Sequence, residues 1–376
     1  MSSKNSYLKI PEALLHPRGV YSRLFMALIL LLFFLPRSVR AESRHAGMED
    51  AEAKACFTCH KELGQLSELG KGHPPFLDGE CTACHELNGD TFTTVAEGNE
   101  LCFGCHTEKE DAVKKKEHVH GAVAAGGCTG CHDPHGTQNK MNLLQPLPDL
   151  CFMCHSEMED HVENAKVKHG AIQMKDSCAN CHNPHASDHE HLLRKEPIMD
   201  LCLTCHNVER PTKSGSFVLN MEKFLQDNPQ HHGPILLDGD CAACHNPHGS
   251  NNYRMLKRVY PSDRYTAFSV KKYALCFECH DEEPFLKKIA AGDVTGFRNG
   301  TKNLHYVHVH KKKGRRCTFC HDPHGSKGPK HIRTTTPFGK WNLPINFKIT
   351  DTGGSCAPGC HVPRAYDRVK AVVNKH

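Results

Sequence analysis

The sequence predicts a fold of mostly irregular coil with short α-helices, wrapped around bound prosthetic groups instead of a hydrocarbon core. Three observations predict it. The 376 residues have a mean hydropathy of −0.54 and only 7% aromatic side chains, too little apolar surface for an ordinary core of that length. All 22 cysteines fall into pairs, and each pair is followed directly by a histidine. The pairs recur with a companion set of histidines in similar order, which marks a modular chain built of like units.

The N-terminus reads as an export signal at residues 1–41. Lys4, Lys9, Arg18 and Arg23 precede an unbroken apolar run at residues 24–35, and Val39-Arg40-Ala41 offers a cleavage site. The run is short for a membrane span, an uncleaved anchor being the alternative, and no later stretch can cross a bilayer as a helix. No cysteine near the cleavage site invites lipid modification. Removing residues 1–41 takes away six basic side chains and one acidic one, so 41 of each remain of the original 47 and 42. The apparent charge of +5 therefore gives no argument for a nucleic-acid partner.

The cysteine motif is clearest at residues 128–136, C-T-G-C-H-D-P-H-G. C-x-x-C-H is the attachment signature of c-type haem: two thiols add to the two vinyl groups of a porphyrin and the adjacent histidine ligates the iron. Ten pairs have this spacing: Cys56/Cys59, Cys81/Cys84, Cys102/Cys105, Cys128/Cys131, Cys151/Cys154, Cys178/Cys181, Cys202/Cys205, Cys241/Cys244, Cys276/Cys279 and Cys317/Cys320. The eleventh, Cys356/Cys360, is C-A-P-G-C-H, where Gly359 allows the extra residue to bulge; a single thioether is the alternative there. Structural zinc or a disulfide scaffold would also use paired cysteines, but neither requires a histidine after every pair. The expectation is eleven covalent haems c, stacked along an extended chain and supplying most of the buried apolar surface. Haem attachment of this kind also agrees with export to the periplasm.

The proximal iron ligands are then His60, His85, His106, His132, His155, His182, His206, His245, His280, His321 and His361. A segment at residues 42–72 carries the first haem. Five two-haem units follow at residues 73–106, 120–155, 169–206, 232–280 and 310–361, with inserts at 251–273 and 331–355 and a C-terminal tail to residue 376. Each unit opens with a histidine, and His73, His120, His169, His232 and His310 are candidate second ligands. His118, His231 and His308 are alternatives to their neighbours. A further set follows the first motif of four units: His135, His185, His248 and His324. His135 stands three residues after His132, with Pro134 favouring an extended path, and so short a segment spans only about 10 Å. It is a poor route round a porphyrin to the same iron, so this set is assigned to neighbouring haems. His45 and His161 complete the count, with His305 also available. The first unit reads Glu86-Leu87-Asn88 after His85, without that second histidine, which opens the possibility of one iron with a free position. Methionine does not recur in register, so bis-histidine haems of low potential are expected. Helices are expected at residues 108–117 and 217–227. The basic runs at 114–116 and 311–316 read as solvated faces or partners of haem propionates.

The pattern H-x7/8-C-x-x-C-H-N/D-P-H-G/A followed by L-C-x-x-C-H resembles the doubled-C-x-x-C-H multihaem cytochromes c. Over residues 56–361 it looks most like the decahaem conduit cytochromes of the MtrA and DmsE type and their pentahaem relative NrfB. That resemblance implies bis-histidine haems in a chain, a periplasmic or outer-membrane location, and electron transfer in anaerobic or extracellular respiration. The partners it implies are an inner-membrane quinol-oxidising cytochrome, an outer-membrane porin and an outer-surface cytochrome. Eleven motifs, the missing histidine after His85 and the two inserts depart from the decahaem pattern. An electron carrier without catalytic residues is the first reading. A multihaem reductase with one open iron and a subunit of a haem-bearing filament are the alternatives.

Overall fold

The computed structural model describes residues 53–88, 91–212, 215, 217–292 and 294–374. The export signal and His45 lie outside the described residues. Two compact units are distinguished. The smaller comprises, of the described residues, 85–88 and 91–93. There the strands His85–Asn88 and Thr91–Thr94 are neighbours in a two-stranded sheet, and the His85 ring lies 5.2 Å from that of Phe92.

The larger unit is built of short elements. Its longest helices, Thr107–Lys115 and Ser156–Asn164, have nine residues. Thr107–Lys115 carries Glu108 and Glu110 in its first turn and Lys114 and Lys115 in its last, matching the helix dipole, and Asp111 pairs with Lys115 at 2.9 Å. This helix was expected at 108–117 and ends two residues earlier. The one expected at 217–227 begins only at Met221, where the Asn220 side chain accepts from the Lys223 N–H at 2.8 Å and caps the helix. Phe217–Val218 instead pairs with Arg210–Pro211.

The chain has more strand pairing than an irregular coil implies. Lys348–Ile349, Gly353–Cys356 and Arg364–Asp367 form an antiparallel three-stranded sheet, and Thr335–Phe338 pairs with Trp341–Pro344 across a left-handed Gly339. Other pairings join one repeat to the next. His118–Val119 pairs with Ala186–Ser187, Gln230–His231 with Gly325–Ser326, and Val167 bridges to Ser250. The same joint recurs where Gly136 meets Gly72, and there Lys71 donates to Gln138 at 2.7 Å. In each case the residues just after the second histidine of one repeat lie against those just before the opening histidine of the preceding repeat. So close an approach needs small residues: a Cβ on Gly136 would stand 2.4 Å from the Gly72 Cα.

Apolar packing is thin, as the composition implies. The one sizeable cluster among the described residues forms where the insert at 251–273 folds back: Leu256, Tyr260 and Tyr273 pack with Phe268, Leu275 and Phe277. The Tyr260 hydroxyl donates to Thr318 Oγ1 and accepts from the Thr318 N–H, both at 2.9 Å. That ties the insert to the motif at Cys317.

Candidate haem-binding sites

Every regular motif is one turn of helix. The first motifs of the repeats lie in 3₁₀ turns such as Cys128–Gly130, Cys241–Ala243 and Cys317–Phe319. The second motifs end helices such as Gly98–Phe103 and Ile198–Leu203. Nine motif histidines donate their backbone N–H to the carbonyl of the motif's first cysteine, at 2.9–3.1 Å. This closes a turn with both cysteines and the histidine on one face, the arrangement that two thioethers and an axial ligand require. The motif at Cys356 differs: Cys356 ends a strand, and the His361 N–H donates to Pro358 at 3.3 Å.

The motif cysteines differ in exposure. Cys59, Cys105, Cys154, Cys205, Cys279 and Cys360 are exposed, whereas every other motif cysteine is partly buried. The exposed six are the second cysteines of the N-terminal motif and of the second motif in each repeat. The physical reason is the path of the chain after each motif. After the first motifs it folds back, and the carbonyls of Cys84, Cys131, Cys181, Cys244 and Cys320 accept N–H groups of the returning segment at 2.8–3.0 Å. That segment shields their thiols. Among the described residues no backbone N–H returns to the carbonyls of Cys59, Cys105, Cys154, Cys205, Cys279 or Cys360.

The structure brings histidines together in couples. His73 faces His106 with ring centres 5.8 Å apart, His120 faces His155 at 6.2 Å, His169 faces His206 at 6.3 Å, and His232 faces His280 at 5.8 Å. In each of these, an opening histidine meets the second motif of its own repeat. The other couples cross between repeats: His132 with His185 at 6.0 Å, His182 with His248 at 6.0 Å, and His245 with His324 at 6.2 Å. Faces in van der Waals contact would lie at roughly 3.5–4 Å. Two metal–nitrogen bonds of about 2 Å, plus about 1.1 Å from each nitrogen to its ring centre, give about 6 Å. The spacing fits one iron between each couple.

Local structure aims these side chains. His73, His120, His169 and His232 each occupy the extended position before a short helix. In the H-N/D-P-H segments the side chains of Asp133, Asn183, Asn246 and Asp322 accept the backbone N–H of the second histidine at 2.9–3.2 Å, an Asx turn that fixes its direction. Burial holds His73, His120, His169, His185, His206, His232, His245 and His248 below the ordinary imidazole range. They stay neutral near pH 7, as metal ligation requires.

The fifth repeat departs from the expectation for His310. His310 follows the helix Leu304–Val309, stacks on Tyr306 at 4.0 Å, and its Nε2 lies 2.9 Å from the Phe285 carbonyl. Two residues of that helix, His305 and His308, pack against Phe297 with ring centres 5.1 and 5.6 Å away. Burial first, then His321 and His308, push His305 down to about 4, and His361 is among the groups that lower His308. His305 thus lies near His321, and His308 near His361. A carbonyl only accepts, so the ring nitrogen facing it carries the proton. The His308 Nδ1 faces the Leu304 carbonyl at 2.6 Å, leaving Nε2 unprotonated and free for a metal. His310 has the reverse arrangement. So does His161, whose Nε2 faces the Gly249 carbonyl at 2.9 Å. It supports the loop of His248 and faces no motif histidine. His135 packs edge-on to Phe76 at 5.5 Å, and His60 and His85 occupy their motif positions.

Four type I′ turns, which the motifs do not announce, follow the first motifs of the second to fifth repeats. Their central pairs are Met141-Asn142, His191-Leu192, Arg254-Met255 and Lys330-His331, and all eight residues have φ between 54° and 60°. The left-handed region costs an L-residue about 1–2 kcal/mol. The first carbonyl of each pair meets the Nδ1 of the motif histidine; the second accepts the N–H of the residue after that histidine, at 2.7–2.8 Å.

The residues present fit covalent haem and not a bare ion. Among the described residues no three His, Cys, Asp or Glu side chains converge on a metal-ion site, and all 22 cysteines are free of disulfides. Among the described residues the fully buried Tyr273 hydroxyl, near Cys276 and Cys317, has no hydrogen-bond partner.

The family of the doubled CXXCH motif matches residues 73–111, 120–160, 169–211 and 232–285. Over 185 residues the chain is 27% identical to the multiheme cytochrome MtrA of Shewanella baltica (strain OS185), an alignment covering 43% of this chain and 54% of that protein. The chain belongs to the doubled-CXXCH multihaem cytochromes, and the four matched modules bind haem c covalently.

Proposed function

We propose that this chain is an undecahaem c-type cytochrome that carries electrons by haem-to-haem hopping, with two histidines on each iron. The observation that carries the reading is the set of couples at 5.8–6.3 Å, which leaves those irons no open position. The last two haems take His305 with His321 and His308 with His361. By its place in the repeat, His135 serves the haem on Cys81 and Cys84, and His45 is assigned to the first haem. The missing histidine after His85 then creates no vacancy, which weighs against the reductase reading. What haem supplies is a reversible one-electron centre. The chain's own residues fix its spacing, exclude exogenous ligands and set its potential.

The haems follow one another in motif order. Thiol sulfurs, standing here for thioether sulfurs, are neighbours at Cys56/Cys81, Cys102/Cys128, Cys151/Cys178, Cys202/Cys241 and Cys276/Cys317. The alternate steps also place cysteines near one another, Cys84 to Cys102, Cys131 to Cys154, Cys181 to Cys205, Cys244 to Cys276 and Cys279, and Cys320 to Cys356 and Cys360.

Residues 53–111 hold eleven acidic and four basic side chains, whereas 311–374 hold thirteen basic and three acidic. Lys348, Arg364 and Lys370 are exposed beside the motif at Cys356. Such polarity gives the two terminal regions different redox partners, a basic one near the first haem and an acidic one near the eleventh. The signal segment supports a periplasmic or outer-membrane setting. An anaerobic reductive titration of the mature holoprotein tests the proposal. Eleven electrons per chain are expected, with full reoxidation by a one-electron acceptor and no turnover of nitrite, hydroxylamine or sulfite. Sustained turnover of any of these, or fewer than eleven electrons, overturns it.

A further inference from the structure

We infer that the four type I′ turns are ligand clamps that lower the potential of the haems on the first motifs of the second to fifth repeats. This rests on the reading of the motif histidines as iron ligands. The clamp is the same each time. The carbonyl nine residues after the histidine faces its Nδ1: His132 to Met141 at 2.8 Å, His182 to His191 at 2.7 Å, His245 to Arg254 at 3.0 Å and His321 to Lys330 at 2.8 Å. The carbonyl accepts the Nδ1 proton, so Nε2 is the free nitrogen of each ring. Drawing on that proton makes the imidazole a stronger donor to its metal and favours ferric over ferrous iron.

The turns carry the mark of a functional constraint. Type I′ turns favour Asn-Gly, and here both central positions hold residues such as Met141, Leu192, Arg254 and Lys330, for which a left-handed backbone is disfavoured. It is held at all four sites by the same ladder. The residue after the left-handed pair bridges back to the motif histidine, Leu143 to His132, Leu193 to His182, Leu256 to His245 and Ile332 to His321. Repeated strain at one place relative to a cofactor ligand points to a role at that ligand. By contrast, helices or loops follow the second motifs directly, and among the described residues the rings of His155, His206 and His280 have no carbonyl acceptor. In the third repeat, the Nδ1 of the facing His169 donates to Pro247 at 2.8 Å, which narrows the difference there. The second and fourth repeats should therefore pair a lower-potential haem with a higher one, so that potential alternates along the order of hopping.

The test uses the full holoprotein with Lys330→Val and Lys330→Gly. A β-branched residue resists the left-handed turn; glycine accepts it. Pyridine haemochrome and low-spin spectra first establish that eleven bis-histidine haems remain, and loss of one in the wild type would count against the ligand reading itself. With haems intact, Lys330→Val should raise one midpoint, changing the oxidised-to-reduced ratio about tenfold at fixed potential, or about 59 mV for one electron. Lys330→Gly should leave all midpoints in place. Eleven unchanged midpoints in Lys330→Val overturn the inference. Should that variant lose haem, histidine-labelled reduced wild type decides. Slow exchange is expected for the Nδ1 protons of His132, His182, His245 and His321, and fast exchange for those of His155, His206 and His280. Equal rates overturn the inference.

Discussion

The second, third and fourth repeats differ from the fifth in where their second histidines come from. In the earlier three, the opening histidine sits before a short helix and meets the second motif of its own repeat, while the first motif is met by a histidine of the next repeat. Each repeat therefore borrows one side chain from its successor. In the fifth, the helix Leu304–Val309 just before it carries His305 and His308 three residues apart on one face, with His321 and His361 among the groups that lower them. The difference teaches that histidine couples interlock the second to fourth repeats with those that follow them, whereas the fifth is served by a helix beside it.

The sharpest way to break this comparison is at that helix. His305→Ala and His308→Ala should each leave one iron five-coordinate, giving one high-spin haem per chain by electron paramagnetic resonance. His310→Ala should leave all haems low-spin. High-spin iron in His310→Ala with none in His308→Ala would return the fifth repeat to the pattern of the others. A smaller effect is expected at the joints between earlier repeats. Gly136 has φ 124° and backs onto the Gly72 Cα, so Gly136→Ala should destabilise by about 2–4 kcal/mol in denaturant unfolding. Gly130→Ala meets open space and should stay within about 0.5 kcal/mol. The smallest effect lies in the closing sheet of the fifth repeat. The Thr352 hydroxyl, then the N–H groups of Lys370 and Val369, hold the Asp367 carboxyl below its ordinary value. Its folded value is depressed, so its contribution is complete above the ordinary carboxylate range and fades as pH falls through the lower folded value. Measured as protection relative to an unstructured chain, the amides of Val369 and Lys370 should lose protection as pH falls below about 4 in the native chain. Asp367→Asn should abolish that pH dependence.

The attachment sites were legible because covalent haem chemistry is local: five or six consecutive residues state it. Their unequal exposure was not, because whether the chain returns over Cys131 or leaves Cys154 uncovered depends on residues a dozen positions away. The small helical content and thin core followed from composition. That His185, His248 and His324 face a motif other than their own was legible from chain length alone, but not which one, since the partner lies a whole repeat away. His310 keeps the repeat's spacing while the residues before it form a helix, so the choice between it and His308 stayed open in the sequence. The run L-H-Y-V-H-V, with histidines three apart at a helical period, was the available signal. The type I′ turns left almost none. They contain neither glycine nor Asn-Gly, and only the apolar Leu143, Leu193, Leu256 and Ile332, each eleven residues after a motif histidine, mark them. Tertiary bonds to the motif impose the left-handed backbone against local preference.

The central claim, that each iron is held between two histidines of this chain, is tested most directly by adding carbon monoxide to the fully reduced holoprotein and recording the difference spectrum. The account predicts no shift of any haem. Binding at about one haem per chain in the wild type would contradict it, placing an open iron where a histidine couple is assigned and restoring the reductase reading.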